Sequence, residues 1–286
     1  MYPPLQYLAR KAILRYRMAT WCAEIVRSRT VSKGFWQGLR LFEQIKPKNA
    51  NQRRTPESSS GRLRVYFDSH QEGNGIHKWN HYFEMYERHL AKFVNKDVNI
   101  CEIGVYSGGS LDMWRHYLGP GCHVYGVDIE PVCKNYQNAQ VKILIGDQAD
   151  RSFWKTFREK VPALDVIIDD GGHTVEQQIV TLEETLPYLK PGGVYICEDI
   201  HGIMNEFSHY VNGLALNLNA VQDFQPNEDC NRAIAVTTNY FQSAIRSVSL
   251  YPFAVVIQRN EAPIAELLAS KRGTRWQPFF KLDRQE

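Results

Sequence analysis

The chain of 286 residues lacks what several large protein classes require. No stretch approaches the roughly 18 consecutive apolar residues that a membrane-spanning helix needs, so no membrane span is expected. Arg10, Lys11, Arg15 and Arg17 interrupt any apolar run near the N-terminus that could form the core of a secretory signal. The six cysteines (22, 101, 122, 133, 197 and 230) are scattered, with no C-x-x-C pair and no dense framework. Cys101 and Cys197 each lie inside an apolar run, which predicts buried reduced thiols and a cytoplasmic location. An excess of one charge is also nearly absent, since the formal net charge is +3. That small value hides a split. Residues 1–60 hold 12 Lys and Arg against Glu24, Glu43 and Glu57, whereas residues 61–286 hold 22 basic and 28 acidic residues. An acidic body repels phosphates, which excludes a nucleic-acid partner on overall charge.

What is present reads as an ordinary globular chain, with 43% apolar and 23% charged residues. The body is long enough for one full-sized domain with a sizeable core. Residues 1–45 are expected as a basic helical extension whose apolar positions wrap around most of a helical wheel. Three readings of it stay open. It packs on the body or on a second subunit of a homo-oligomer, it is an Arg-rich organelle-targeting segment, or it lies on a membrane surface. Residues 46–62, KPKNANQRRTPESSSGR, are almost free of apolar side chains and predict a solvated linker. A domain over 63–260 and a tail over 261–286 complete the division.

From residue 98 the chain alternates β-type runs with helical stretches. Strands are predicted over Val98–Ile103, Cys122–Asp128, 142–145, Leu164–Asp169 and 194–198. Helices are predicted over 110–118, Arg151–Lys160 and 174–189, the last stopped by Pro191-Gly192-Gly193. Near-continuous apolar strands separated by helices indicate an α/β fold, a Rossmann-like doubly wound and mostly parallel sheet. Residues 245–250 and 253–258 are joined through Tyr251-Pro252, too short a link for a parallel crossover, and predict a C-terminal antiparallel hairpin.

Open parallel sheets bind ligands beyond the carboxyl ends of their strands. There stands Glu102-Ile-Gly104-Val-Tyr-Ser-Gly108-Gly109-Ser110, after the first strand. Gly104 and Gly108 permit a tight turn and close approach to a ligand. Asp128 ends the second strand, at a distance along the chain that suits a carboxylate reading a ribose diol. The G-x-x-x-G spacing is not that of a dinucleotide fingerprint, which argues against a pyrophosphate ligand and an NAD-dependent dehydrogenase. Glu102 suits a ligand with a positively charged amino group. Asp147 and Gln148 follow the third strand, where they are placed to read an adenine amino group. Taken singly, each is equally a turn glycine or a surface acid; the ordered set is more specific.

With these residues the chain resembles the class I S-adenosylmethionine-dependent methyltransferases. The resemblance rests on EIGVYSGGS (102–110), GVDIEP (126–131), IGD (145–147), LKPGG (189–193) and the hairpin. It implies a seven-stranded sheet and a methyltransferase domain over 63–260. It also implies S-adenosylmethionine bound by Glu102, Gly104, Tyr106, Gly108, Ser110, Asp128, Asp147, Gln148 and Asp169.

A second motif is richer in charge. The fourth strand ends in Asp169-Asp170-Gly171-Gly172-His173 and the fifth in Glu198-Asp199-Ile200-His201. If the two ends are neighbours, four carboxylates meet. Two like charges ~4 Å apart cost on the order of 4 kcal/mol at an effective dielectric near 20, so the cluster needs a counter-charge or protons. Oxygen ligands suit Mg2+ or Mn2+. The plain alternative is that these acids cap helices and loops. His173, at the start of a helix, is placed to take a proton from a hydroxyl polarised by the metal, or is simply a cap or core-lining histidine.

DDGGH followed by Glu198-Asp199 resembles the metal-dependent sugar O-methyltransferases that act on macrolides and other glycosylated natural products. That resemblance implies Asp170, Glu198 and Asp199 as metal ligands, with His173 and Asp170 catalytic. It also implies a small-molecule hydroxyl acceptor. HKWNHYFEMYERHL (77–90) resembles the region of this group that borders the pocket. Residues 200–244 match no acceptor-selecting motif. Two other readings remain: a cephalosporin-hydroxylase-like enzyme on the same fold, and a non-catalytic scaffold docked through the basic arm.

Overall fold

The computed structural model describes residues 35–38, 61–220, 234–270 and 272–273. The chain divides into two compact units, residues 1–57 and 58–286. In the first, only the helical turn at 35–38 is described. The rest of the expected N-terminal extension, most of the linker, Cys22 and Cys230 lie outside the described residues. Among the described residues no helix is long and apolar enough to cross a membrane.

The second unit begins with α1 (Arg62–Ser69) and α2 (Tyr82–Leu90). There follow β1 (Val98–Ile103), α3 (Gly109–Leu118), β2 (Cys122–Asp128), β3 (Val141–Ile145), α4 (Arg151–Lys160) and β4 (Leu164–Asp169). Next come α5 (Val175–Thr185), β5 (Leu189–Cys197), α6 (Glu206–Leu216), β6 (Ile234–Thr237) and α7 (Tyr240–Ala244). The chain then forms β7 (Ile245–Tyr251), β8 (Ala254–Arg259) and β9 (Glu266–Ala269). Seven strands make one sheet in the order β3-β2-β1-β4-β5-β8-β7. Strands β1 to β5 are parallel, and β8 runs antiparallel between β5 and β7. This is the doubly wound sheet with its antiparallel hairpin, as expected. The strand order reverses between β1 and β4, which is where open sheets of this kind leave a crevice.

Three local features differ from expectation. The helix over 174–189 ends at Thr185, and Leu186–Tyr188 tighten into a 3-10 turn because Pro187 has no N–H to continue the ladder. Pro191-Gly192-Gly193 falls inside β5, where the pairing with β4 slips between Leu164 and Val166. A separate two-stranded sheet pairs β6 with β9, and β9 lies inside the segment expected as a tail.

Alternation along each strand sends neighbouring residues to opposite faces. Ile100, Ile168, Ile196 and Val256 join α1, α2 and α3 in one core, with Tyr82, Phe83, Tyr86 and Trp114. Cys101, Ile167, Tyr195, Cys197 and Ile257 join α4, α5 and α6 in the other, with Trp154, Phe157 and Phe207. Cys101 and Cys197 are buried free thiols. Local signals agree with the packing: Asp150 caps α4 by accepting from Ser152 N–H, and Thr174 with Gln177 closes a capping box on α5.

Gly104 has φ +88, and a Cβ placed on it would lie 1.9 Å from the carbonyl oxygen of Asp170. Gly202 has φ +90 but open space around it. Gly104→Ala is expected to destabilise by about 2–4 kcal/mol and Gly202→Ala by about 1 kcal/mol, read by urea denaturation. Equal costs would contradict the close crossing of these two loops.

Candidate active site

The carboxyl ends of β1 to β5 open on one cavity of about 620 Å3. Its first half is built by the glycine turn. Gly104 N–H donates to Val127 O (2.8 Å) and Gly108 N–H to Val105 O (2.8 Å), which folds the turn back on β1 and β2. Asp128 holds that turn: its Oδ2 accepts from Val105 N–H (2.8 Å) and Tyr106 N–H (3.0 Å), and Oδ1 from Glu130 N–H (2.9 Å). Tyr106 sits at φ +48 with its side chain 79% exposed on the rim. Asp147 is exposed on the cavity wall, and its Oδ1 accepts from Ala149 N–H (2.8 Å). Gln148 lines the wall while its amide ties Asp169 Oδ1 (3.0 Å), Thr181 Oγ1 (3.1 Å) and Gly172 N–H (2.8 Å) together.

Of the residues expected around the methyl donor, Gly104, Tyr106, Ser110, Asp128, Asp147 and Gln148 line this cavity, whereas Glu102, Gly108 and Asp169 do not. Gly108 lies behind the wall as the start of α3, against the Tyr136 ring. Glu102 is fully buried and accepts from the Ser110 hydroxyl (2.6 Å). Asp169 follows the strand's two-residue period. It points to the face opposite Asp170 and is 1% exposed, with Tyr195 O–H donating to its Oδ2 (3.1 Å). Burial lifts its carboxyl to about 7, although the Gln148 and Tyr195 hydrogen bonds oppose the rise. The four acids at the ends of β4 and β5 therefore do not form one cluster.

The second half of the cavity centres on Lys78, which the sequence reading did not single out. Its ammonium lies 2.5 Å from Asp170 Oδ2, 3.2 Å from Glu198 Oε2 and 3.3 Å from Glu102 Oε1; the strand period puts Glu102 and Glu198 on the sheet face shared with Ile100 and Ile196. Tyr86 O–H also donates to Glu198 Oε1 (2.7 Å). Burial alone would push the Lys78 ammonium down, but Asp170, Glu198 and Glu102 outweigh it and hold its pKa well above the usual value. The magnitudes agree: at ~3.3 Å and an effective dielectric near 20, each carboxylate is worth about 5 kcal/mol of attraction. One cation does not satisfy two buried acids and the half-buried Asp170. Burial lifts Glu198 to about 8 and Glu102 above its ordinary value, in both cases against the pull of Lys78.

Beyond Lys78, Asp170, His173 and Asp199 gather so that one ligand atom from each lies within 4.8 Å of the others. His173 Nε2 is 3.8 Å from Asp170 Oδ1 and 3.7 Å from Asp199 Oδ2. Each carboxylate has its other oxygen tethered. Lys78 holds Asp170 Oδ2, while Trp79 Nε1–H (2.8 Å) and Tyr82 O–H (3.0 Å) donate to Asp199 Oδ1. His173 and Asp199 both adopt positive φ, +58 and +56. Such backbone strain in non-glycine residues persists where surrounding structure enforces it. Of the three expected metal ligands, Asp170 and Asp199 meet here, and Glu198 turns to Lys78 and Tyr86. Exposed His201 stays outside the cavity lining.

Residues 101–200 match the family model of a methyltransferase domain. A rhamnosyl tetracenomycin-C 2'-O-methyltransferase of Streptomyces olivaceus is 36% identical over 137 residues, 44% of this chain and 35% of that protein. Demethylmacrocin O-methyltransferase of Streptomyces fradiae is 32% identical over 43% of this chain and 33% of its own length. The chain thus spans about a third of the curated relatives it matches. The MycE methyltransferase of the mycinamycin pathway, solved with Mg and SAH, shares the fold at TM-score 0.54 and 22% identity, over 72% of this chain and 55% of that one.

Asp169 also makes stability depend on pH. A carboxyl near 7 in the folded chain and near 3.8 unfolded loses stabilisation as pH rises from about 4 to about 7. Between pH 5 and 8 this amounts to about 3 kcal/mol. Asp169→Asn is expected to flatten that decline in denaturation measured at the two pH values. An unchanged decline would contradict the burial described.

Proposed function

We propose that the chain is an S-adenosylmethionine-dependent O-methyltransferase acting on a sugar hydroxyl of a glycosylated small molecule, with a divalent cation at Asp170 and Asp199. The observation that carries this reading is one cavity holding both the glycine turn and the Asp170–His173–Asp199 cluster. The relatives' names supply the acceptor class, and their short overlap leaves the acceptor a matter for experiment.

The cluster fits a hard cation. Cis ligands of a six-coordinate Mg2+ lie about 3 Å apart and trans ligands about 4 Å apart, given bonds of about 2.1 Å. The facing atoms here span no more than 4.8 Å. Two carboxylates with one imidazole reverse the two-histidine, one-carboxylate set that non-haem iron oxygenases use, which disfavours the hydroxylase reading. Glu198, tethered by Lys78 and Tyr86, completes the acidic wall behind Asp170.

The chain's own side chains divide the work. Asp170 Oδ1 and Asp199 Oδ2 would hold the cation, whose charge orients vicinal acceptor oxygens and acidifies a hydroxyl. His173 Nε2 faces the same point and accepts the hydroxyl proton. The glycine turn, fixed by Asp128, would hold the methyl donor beside the acceptor. Asp147 and Gln148 would border the adenine of that donor. Most of the acceleration then comes from positioning two reactants in one pocket.

Transfer of labelled methyl from S-adenosylmethionine to methyl glycosides is expected with Mg2+ and to be lost in EDTA. Asp199→Ala and His173→Ala are expected to cut turnover by about 100-fold or more. Binding of S-adenosylhomocysteine, read by calorimetry, should change less than about threefold. Full turnover in EDTA would overturn the cation's role.

A further inference from the structure

The segment before α2, the loop after β5 and the turn between β7 and β8 place an aromatic wall beside the carboxylates. Trp79 lines the cavity, and its indole N–H is fixed on Asp199 Oδ1 at 2.8 Å. The Trp79 and Phe253 rings lie 5.7 Å apart, His201 packs on Phe253 at 4.7 Å, and Trp79 faces His201 at 6.5 Å. Phe253 holds its place through the turn, where its carbonyl accepts from Tyr82 O–H (3.1 Å) and from Ile200 N–H (2.9 Å). The wall is open to solvent: Trp79 is 45% and Phe253 40% exposed.

The proton and methyl chemistry leave this wall without a task. An indole whose edge is pinned to one oxygen of Asp199 has a fixed plane, while the other oxygen of the same carboxylate points at the shared ligand position. One side chain therefore sets both the spacing and the orientation between an aromatic face and that position. The C–H face of a pyranose ring is apolar, its hydrogens are drawn to the electron-rich face of an indole, and its hydroxyls project from the ring edge.

We propose that Trp79, backed by Phe253 and His201, is the platform on which the acceptor's pyranose ring stacks, with two neighbouring hydroxyls directed to the cation position between Asp170 Oδ1 and Asp199 Oδ2. This rests on the methyltransferase reading and adds to it how a sugar ring is selected. A catechol, flat on both faces and also a vicinal diol, is the competing occupant.

The test uses the full chain with Mn2+ and S-adenosylhomocysteine, titrated calorimetrically with methyl α-rhamnopyranoside and with catechol, alongside Trp79→Leu, Trp79→Phe and His201→Ala. Trp79→Leu is expected to weaken the glycoside by about tenfold, with KM rising in step, whereas Trp79→Phe keeps a ring face and stays within about threefold. Both variants lose the hydrogen bond to Asp199, so their Mn2+ affinities, read by electron paramagnetic resonance, should shift equally. His201→Ala, at an exposed position, is expected to weaken the glycoside by about threefold. Equal glycoside losses in the Leu and Phe variants would overturn the platform and leave Trp79 as a holder of Asp199. Tighter binding of catechol than of the glycoside by the wild type would also overturn it. Methyl transfer to the glycoside with unchanged KM in Trp79→Leu would sink the platform alone, while no transfer to any glycoside by the wild type would sink the underlying function.

Discussion

The ammonium of Lys78 inside a ring of three carboxylates is the interaction on which the site depends. Glu102 comes from β1, Asp170 follows β4 and Glu198 follows β5, so a single side chain from the segment before α2 ties three strand ends together. Without it, the buried Glu102 and Glu198 and the half-buried Asp170 would repel one another. Even with it, burial keeps Glu198 and Glu102 above their ordinary values, against the pull of Lys78. The untethered oxygens of Asp170 and Asp199 are what a divalent cation would meet. Lys78 thus acts as a built-in cation that fixes the acids and leaves room for one more positive charge.

The same logic explains why each ligand carboxylate is half tethered. An untethered aspartate would turn to solvent and lose its orientation, and one with both oxygens bound would have nothing to offer. Lys78 on Asp170 and the Trp79–Tyr82 pair on Asp199 each leave one oxygen facing His173. Positive φ at His173 and Asp199 shows the backbone bent to deliver these groups. The tight crossing of Gly104 beneath Asp170 joins this cluster directly to the glycine turn. The two halves of the cavity are therefore one mechanical unit.

Much of this was legible in the sequence, and what was not has a physical reason. Near-continuous apolar strands separated by helices sufficed for the doubly wound sheet, and the short Tyr251-Pro252 link for the hairpin. Asp170, His173 and Asp199 were recognisable because strand ends in this topology converge on one edge. Grouping Asp169 with them ignored the two-residue period that turns it to the other face. Lys78 was harder, because its partners are 24, 92 and 120 residues away and only the fold brings them near. A signal existed in HKWNHYFEMYERHL: Tyr82 and Tyr86, four apart, put two hydroxyls on one helix face. The β6–β9 pair consists of four-residue strands with no strong pattern, β9 being exposed throughout, so only their pairing reveals them.

The central claim is that Asp170 and Asp199 offer their untethered oxygens to one cation beside the methyl-donor turn. Anomalous diffraction from crystals grown with Mn2+ and S-adenosylhomocysteine tests it most directly. The account expects a single strong peak about 2.2 Å from Asp170 Oδ1 and Asp199 Oδ2, with Lys78 still between Asp170 and Glu198. No ordered peak in the cavity, or one bound away from these two aspartates, would contradict it.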